Sequence, residues 1–308
     1  MDNEYSKLKV SVIIPTYKRT TFFLERAIKS VLNQTYKNIE IIVIDDNALP
    51  ELVQFRREAT KLMESFKSFP VKYIQNKENL GGSLSRNVGI ENSTGSYITF
   101  LDDDDRYLPD KVQNQLKFMC SGNYDVTFTD LKLCNNKEKT VDYREYSNIN
   151  SYSNDNLLKY HIMRHITGTP TFMYKRNILI NIGSFPNVKM GQEYHLMLKT
   201  IESGAKIGYF PKSDVVAYRH ESGGISMGAN KIIGELELYK FKQKYFYKLT
   251  YREKMFVKFR HYAVMTVGYK RNKKYIKMFV SLLKACISSP IDVSMESTKF
   301  FVRVIKNS

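Results

Sequence analysis

The chain has 308 residues, 43% hydrophobic and 26% charged, enough for one large domain or two smaller ones. Its formal charge of +17 is uneven: residues 229–308 hold 18 Lys/Arg against 5 Asp/Glu, whereas residues 1–228 hold 30 against 26. Cys120, Cys134 and Cys286 lie far apart with no CxxC pair, so neither a disulfide framework nor a zinc site is indicated, and no apolar run approaches the roughly 20 residues that span a bilayer.

The opening MDNEYSKLK lacks the basic-then-apolar pattern of a secretory signal, so a reduced, cytoplasmic protein is expected. KVSVIIP (9–15) is a β-branched run ended by proline and reads as a buried strand. TTFFLERAIKSVLNQTY (20–36) sets Phe23, Ala27, Ile28, Val31 and Leu32 at helical spacing. NIEIIVIDDNALP (38–50) is a second strand ending on Asp45 and Asp46, ELVQFRREATKLMESF (51–66) a helix, and VKYIQN (71–76) a third strand. LGGSLSRNVGIENS (80–93) opens on two glycines and continues as a helix into a fourth strand, SYITFLDDDD (96–105). Strands alternating with helices at this spacing imply βαβ units and a mostly parallel sheet, whose ligands bind at the carboxyl ends of the strands. Thr16, Tyr17, Asp45, Asp46 and Asp102–Asp105 all fall at those ends.

Beyond residue 110 the pattern loosens. DVTFTDLKLC (125–134) suggests one more strand, residues 135–155 a polar loop, and GQEYHLMLKTIESG (191–204) a helix. In the basic region, 232–249 and 252–269 are helical and amphipathic. The charge step places a domain boundary at 228/229, with residues 1–228 divided at about 110.

Asp102–Asp105 concentrate negative charge in an otherwise basic chain. On spacing alone, two readings stand: a DxD pair holding a hard divalent cation, or a solvated acidic turn leading into a helix at Leu108-Pro109. A calcium loop fits poorly, because Arg106 falls where a third ligand should be and Tyr107 replaces the required glycine.

VSVIIPTYKR, IEIIVIDDN and NLGGSLSRNVGIENSTGSYITFLDDDD, in that order and spacing, resemble the nucleotide-sugar domain of family 2 inverting glycosyltransferases, which have the GT-A fold; the likeness extends over about residues 9–226. The resemblance implies an α/β GT-A domain with a mostly parallel sheet flanked by helices, followed by a basic helical extension. Pro15, Thr16, Tyr17 and Arg19 would wrap the nucleoside, with Tyr17 stacked on the base and Asp46 accepting from a uracil N3–H. Gly81 and Gly82 would admit close backbone approach, and Arg86 would face the diphosphate or pair with the acidic cluster. Asp102 would lie near ribose or metal, Asp104 would ligate Mn2+ or Mg2+, and Asp103 would support the local field. From YRHESGGIS, His220 would reach the diphosphate or metal, with Ser222 and Ser226 as weaker phosphate neighbours.

An inverting transfer needs one general base. Relatives carry a Glu-Asp pair before an apolar helix; here the pair reads Gln192-Glu193, so Glu193 is the expected base, one methylene longer, with His195 as an assistant or an ordinary helix residue. The implied donor is a UDP-sugar and the acceptor a glycan or polyprenyl-linked hydroxyl, with the region around 167–185 as the acceptor floor. The 229–308 region suits an anionic membrane surface, an anionic polymer, an oligomer interface or simple packing. Two other readings remain at this level: a noncatalytic sugar-nucleotide binder, which the Gln-Glu pair permits, and a nucleic-acid binder, for which the sequence offers basic charge and no motif.

Overall fold

A computed structural model describes residues 5–166, 168–188, 190–219 and 229–294. By contact the chain divides into two units, one from Met1–Leu157 and Ile166–Glu221, the other from Leu158–His165 and Ser222–Ser308.

The first unit begins with β1 (Val10–Thr16), α1 (Thr21–Leu32), β2 (Ile39–Asp45), α2 (Val53–Glu64), β3 (Val71–Gln75), α3 (Gly81–Glu91) and β4 (Tyr97–Phe100), matching the expected alternation. After the short β5 (Arg106–Tyr107) come α4 (Lys111–Ser121), β6 (Val126–Thr129), β7 (Leu131–Cys134), β8 (Thr140–Arg144) and α5 (Asn154–Arg164), which continues into the second unit. Then follow β9 (Met173–Lys175), α6 (Arg176–Asn181), α7 (Gln192–Glu202), β10 (Ile207–Phe210) and β11 (Val215–Tyr218).

A seven-stranded sheet runs in the order β10-β6-β9-β4-β1-β2-β3, and a four-stranded sheet in the order β5-β11-β7-β8. In the larger sheet β9 alone is antiparallel to both of its neighbours, so β1, β2 and β4 deliver their carboxyl ends to one edge. Nearly continuous apolar strands such as Val10–Ile14 and Ile41–Ile44 are buried on both faces, as a parallel sheet covered by helices requires. Of the apolar residues expected at helical spacing on α1, Ala27, Ile28 and Val31 are buried, together with Leu24, while Phe23 and Leu32 are only partly covered.

Two expectations change. The single strand over 125–134 is two, β6 and β7, which leave Asp130 at the switch between sheets, its carboxylate accepting from the Tyr209 and Tyr143 hydroxyls at 2.5 and 3.0 Å. The polar stretch 135–155 holds β8, which pairs antiparallel with β7; its largely exposed residues give no apolar alternation to read.

The second unit contains α8 (Ala229–Gln243), α9 (Tyr251–Arg271) and α10 (Tyr275–Ser288). A capping box opens α9: the Thr250 hydroxyl accepts from the Glu253 N–H, and the Glu253 carboxylate accepts from the Thr250 N–H. Tyr239 stacks on His261 at 4.0 Å while His261 Nδ1 meets Glu235 at 2.9 Å, locking α8 to α9. Phe256, Phe259 and Ala285 form a small core with Met163 and Tyr262 around it. No described helix is long and apolar enough to cross a membrane.

Candidate active site

The site is built where β1, β2 and β4 end. Beyond Phe100 the chain turns, the Asp105 N–H returning to the Asp102 carbonyl at 3.0 Å, and the four carboxylates separate by exposure. Asp103 and Asp105 are buried, whereas Asp102 and Asp104 keep 37% and 17% of their side chains open.

Each buried acid has protein partners. Asp103 accepts from the Thr16 hydroxyl at 2.7 Å and from Arg19 Nε at 3.0 Å; burial nonetheless pushes its carboxyl up to about 7, with Arg19 opposing and Asp104 adding to the rise. Asp105 accepts from the Tyr218 N–H at 3.0 Å, and burial, then Asp102 and Asp104, hold it well above the ordinary range. Arg19 reaches on to Asp104 at 2.8 Å. Arg26, which the sequence did not single out, donates to the Asp104 carbonyl and lies over the Tyr218 ring at 4.0 Å.

Asp46 requires a correction. Its carboxylate accepts from Asn76 Nδ2 (2.7 Å), Asn79 Nδ2 (3.0 Å), and the Leu80 and Gly81 N–H groups (2.9 and 2.8 Å), two donors to each oxygen. Four donors fill the roughly four acceptor positions of a carboxylate, and the residue is 2% exposed, so no position is left for a uracil N3–H. Asp46 is a loop anchor, and Asp45 likewise is taken up by Asn47 and the Tyr73 hydroxyl. Pro15 and Tyr17 remain half-buried at the β1 end, and the Lys18 amine sits 5.3 Å from the Tyr17 ring centroid.

Arg86 joins the two halves of the site. Its guanidinium donates to Asp102 at 2.5 Å, to Gln192 Oε1 at 3.0 Å and to the Gly82 carbonyl at 3.1 Å, while the ring of Phe185 lies 5.6 Å away. Of the two roles expected for Arg86, the ion pair with the acidic cluster is the one observed. A Cβ on Gly82 would stand 3.1 Å from Arg86 Nη1 and 3.5 Å from Gln192 Oε1, so an alanine there would press the guanidinium to give by a few tenths of an ångström. Gly82→Ala should displace that bridge and lower kcat/KM on the order of tenfold or more, while helix propensity holds the melting temperature level or raises it. A fall in both together would mark a folding defect.

Gln192 is the first residue of α7, and Glu193 follows in the first helical turn. The Glu193 carboxyl, only partly open to solvent, is raised above the usual carboxylate range, first by burial and also by Asp102; its own backbone N–H, Arg86 and Arg144 pull the other way. His195 is half-buried and held below its ordinary value by burial. His220, Ser222 and Ser226 lie outside the described residues.

The donor set suits a hard cation. Asp102 and Asp104 offer oxygen from one turn, and magnesium or manganese is commonly held by one or two carboxylates and completed by phosphate oxygens. Among the described residues no cluster of three or more acidic, histidine or cysteine side chains is arranged to hold a metal.

The family model for glycosyl transferase family 2 matches residues 11–183, more than half of the chain and all of the elements that carry the acidic turn, Arg19 and Arg86. The chain belongs to glycosyl transferase family 2. An uncharacterized glycosyltransferase of Rickettsia conorii is 42% identical over 134 residues, covering 44% of this chain and 21% of that one. This family member thus spans about a fifth of the length of that relative. The putative teichuronic acid biosynthesis glycosyltransferase TuaG of Bacillus subtilis is 29% identical over 195 residues, 63% of this chain and 73% of TuaG. In fold, the chain resembles residues 1–349 of S. aureus TarS solved with UDP-GlcNAc, at a TM-score of 0.56 and 17% identity, covering 91% of this chain and 89% of that one. The larger sheet and its flanking helices have the GT-A fold, and a helical C-terminal region follows.

Proposed function

We propose that the protein is a metal-dependent inverting glycosyltransferase, moving a sugar from a UDP-sugar to a hydroxyl of a growing surface glycan. The observation that carries this reading is the Arg86 bridge, which ties the part-exposed Asp102 to Gln192 at the helix start, next to a carboxyl of raised proton affinity. Asp102 and Asp104 would hold Mn2+ or Mg2+; when bound, the cation supplies charge neutralisation for the departing diphosphate. Arg19 and Arg86 hold those two carboxylates in place. Tyr17, half-buried next to Thr16, would stack on the base.

Glu193 takes the proton from the acceptor hydroxyl as that oxygen attacks the anomeric carbon. The new C–O bond forms as the bond to the diphosphate breaks, and the electron pair leaves with UDP. One base and one displacement invert the anomeric centre. The acceptor is a glycan or polyprenyl-linked sugar, in keeping with a relative named for teichuronic acid biosynthesis. The 229–308 region brings the enzyme to an anionic surface at the inner face of the membrane.

UDP release from a panel of UDP-sugars, with and without manganese and with a chelator control, tests the reading. Manganese-dependent release from one donor is expected; no release from any donor would leave a noncatalytic binder. The base must be ionised to act, so activity should be lost as pH falls through the raised Glu193 value. The acid limb of kcat/KM should therefore lie above the ordinary carboxylate range.

A further inference from the structure

Helix α10 is apolar on the side away from its packing. Ser281 and Ala285 are buried, and opposite them Ile276, Phe279, Val280, Leu283 and Ile287 form one stripe at helical spacing. All five are exposed, Ile276 by 83% and Ile287 by 80%. Patches of this kind on a folded surface mark an interaction site rather than scattered apolar residues. Lys277 and Lys284, both exposed, border the stripe on one edge, and Lys270, Arg271, Lys273 and Lys274 crowd its amino end. Residues 270–291 carry these six basic side chains and not one Asp or Glu.

That charge selects the occupant. A second copy of α10 would bring six more cations against the first six, and segment 295–308 adds Lys299, Arg303 and Lys306 against Glu296 alone. An anionic surface with an apolar layer beneath it satisfies both the stripe and its rim. Fourteen residues of helix are about 21 Å long, short of the roughly 30 Å hydrocarbon core, so the helix would lie in the plane of the surface and not cross it.

We infer that α10 docks its Ile276–Phe279–Val280–Leu283–Ile287 face into the interface of an anionic lipid membrane, with the lysines over the headgroups. This deepens the anionic-surface reading of residues 229–308 by naming the face that enters the lipid, and it stands apart from the transfer chemistry.

The chain contains no tryptophan, so Leu283→Trp creates a single reporter on the stripe. On adding vesicles of equal phosphatidylcholine and phosphatidylglycerol, its emission should shift to the blue and be quenched by brominated acyl chains; phosphatidylcholine alone should give far less. The Phe279→Asp/Ile287→Asp pair should weaken co-sedimentation with the mixed vesicles by roughly tenfold or more, while UDP-sugar hydrolysis in solution stays at the wild-type rate. Unshifted Leu283→Trp emission at saturating lipid would overturn the inference, and so would vesicle binding untouched by the aspartates. A wild-type dimer turned to monomer by the aspartates would assign the face to a second copy instead. Should the aspartate pair fail to fold, the Leu283→Trp reading decides alone. Loss of the lipid signal with UDP release intact would remove this inference and leave the transferase reading standing.

Discussion

Glu193→Gln should leave the affinity for UDP unchanged and lower kcat by a factor on the order of 10²–10⁴, the usual contribution of a positioned general base. The amide keeps the shape of the side chain and loses only the site that receives the acceptor proton. The first turn of α7 tolerates the change, since a neutral side chain there forfeits about 0.3–1 kcal/mol of favourable dipole interaction and escapes the cost of burying a carboxylate. Arg86 keeps Asp102 and Gln192 as partners, so the acidic turn stays in place. The acid limb of the pH profile should vanish with the base. UDP titration and single-turnover rates check both halves, and an unchanged kcat would move the base to another residue.

Asp104→Ala should remove turnover and the manganese-dependent part of UDP binding. Stabilising the departing diphosphate is worth several kcal/mol, and about 1.36 kcal/mol corresponds to each decade of rate, so a loss on the order of 10³-fold is expected. The carboxylate is part-exposed and Arg19 retains Asp103 at 3.0 Å, so the fold should survive and the melting temperature should move little. Calorimetry of UDP binding at saturating manganese and in chelator separates the two parts. Manganese-stimulated binding that persists in Asp104→Ala would exclude this carboxylate as a ligand.

Much of the first unit was legible before any coordinates. Alternating apolar strands and helical stripes gave β1 through β4 in order, because a parallel sheet buried on both faces writes itself as unbroken apolar runs. The edge strand β8 was not legible: its exposed residues need no apolar alternation. The sheet switch at Asp130 was hidden for another reason, since the two tyrosines that hold it lie 13 and 79 positions away.

The acids at the strand ends were found by position, and Arg86 by motif. The sequence left the partner of Arg86 open, and a contact spanning 106 positions with Gln192 has no local signature. Asp46 was misjudged for a similar reason. A carboxylate at a strand end looks ready to bind a ligand until its neighbours are counted, and here all four donors come from the loop after β3 and the start of α3. Helix α10 was overlooked because its outward face is as apolar as a core face.

The Asp46 anchor has a kinetic meaning. Leu80 and Gly81 donate their amide protons to a carboxylate sealed from water, at the bend where α3 begins. Those two protons can reach solvent only when the bend itself opens, so in the free protein they should exchange with deuterium as slowly as the central strands. The glycine corner at the start of α3 would then be rigid in the free protein, and ordering it on ligand binding would cost little.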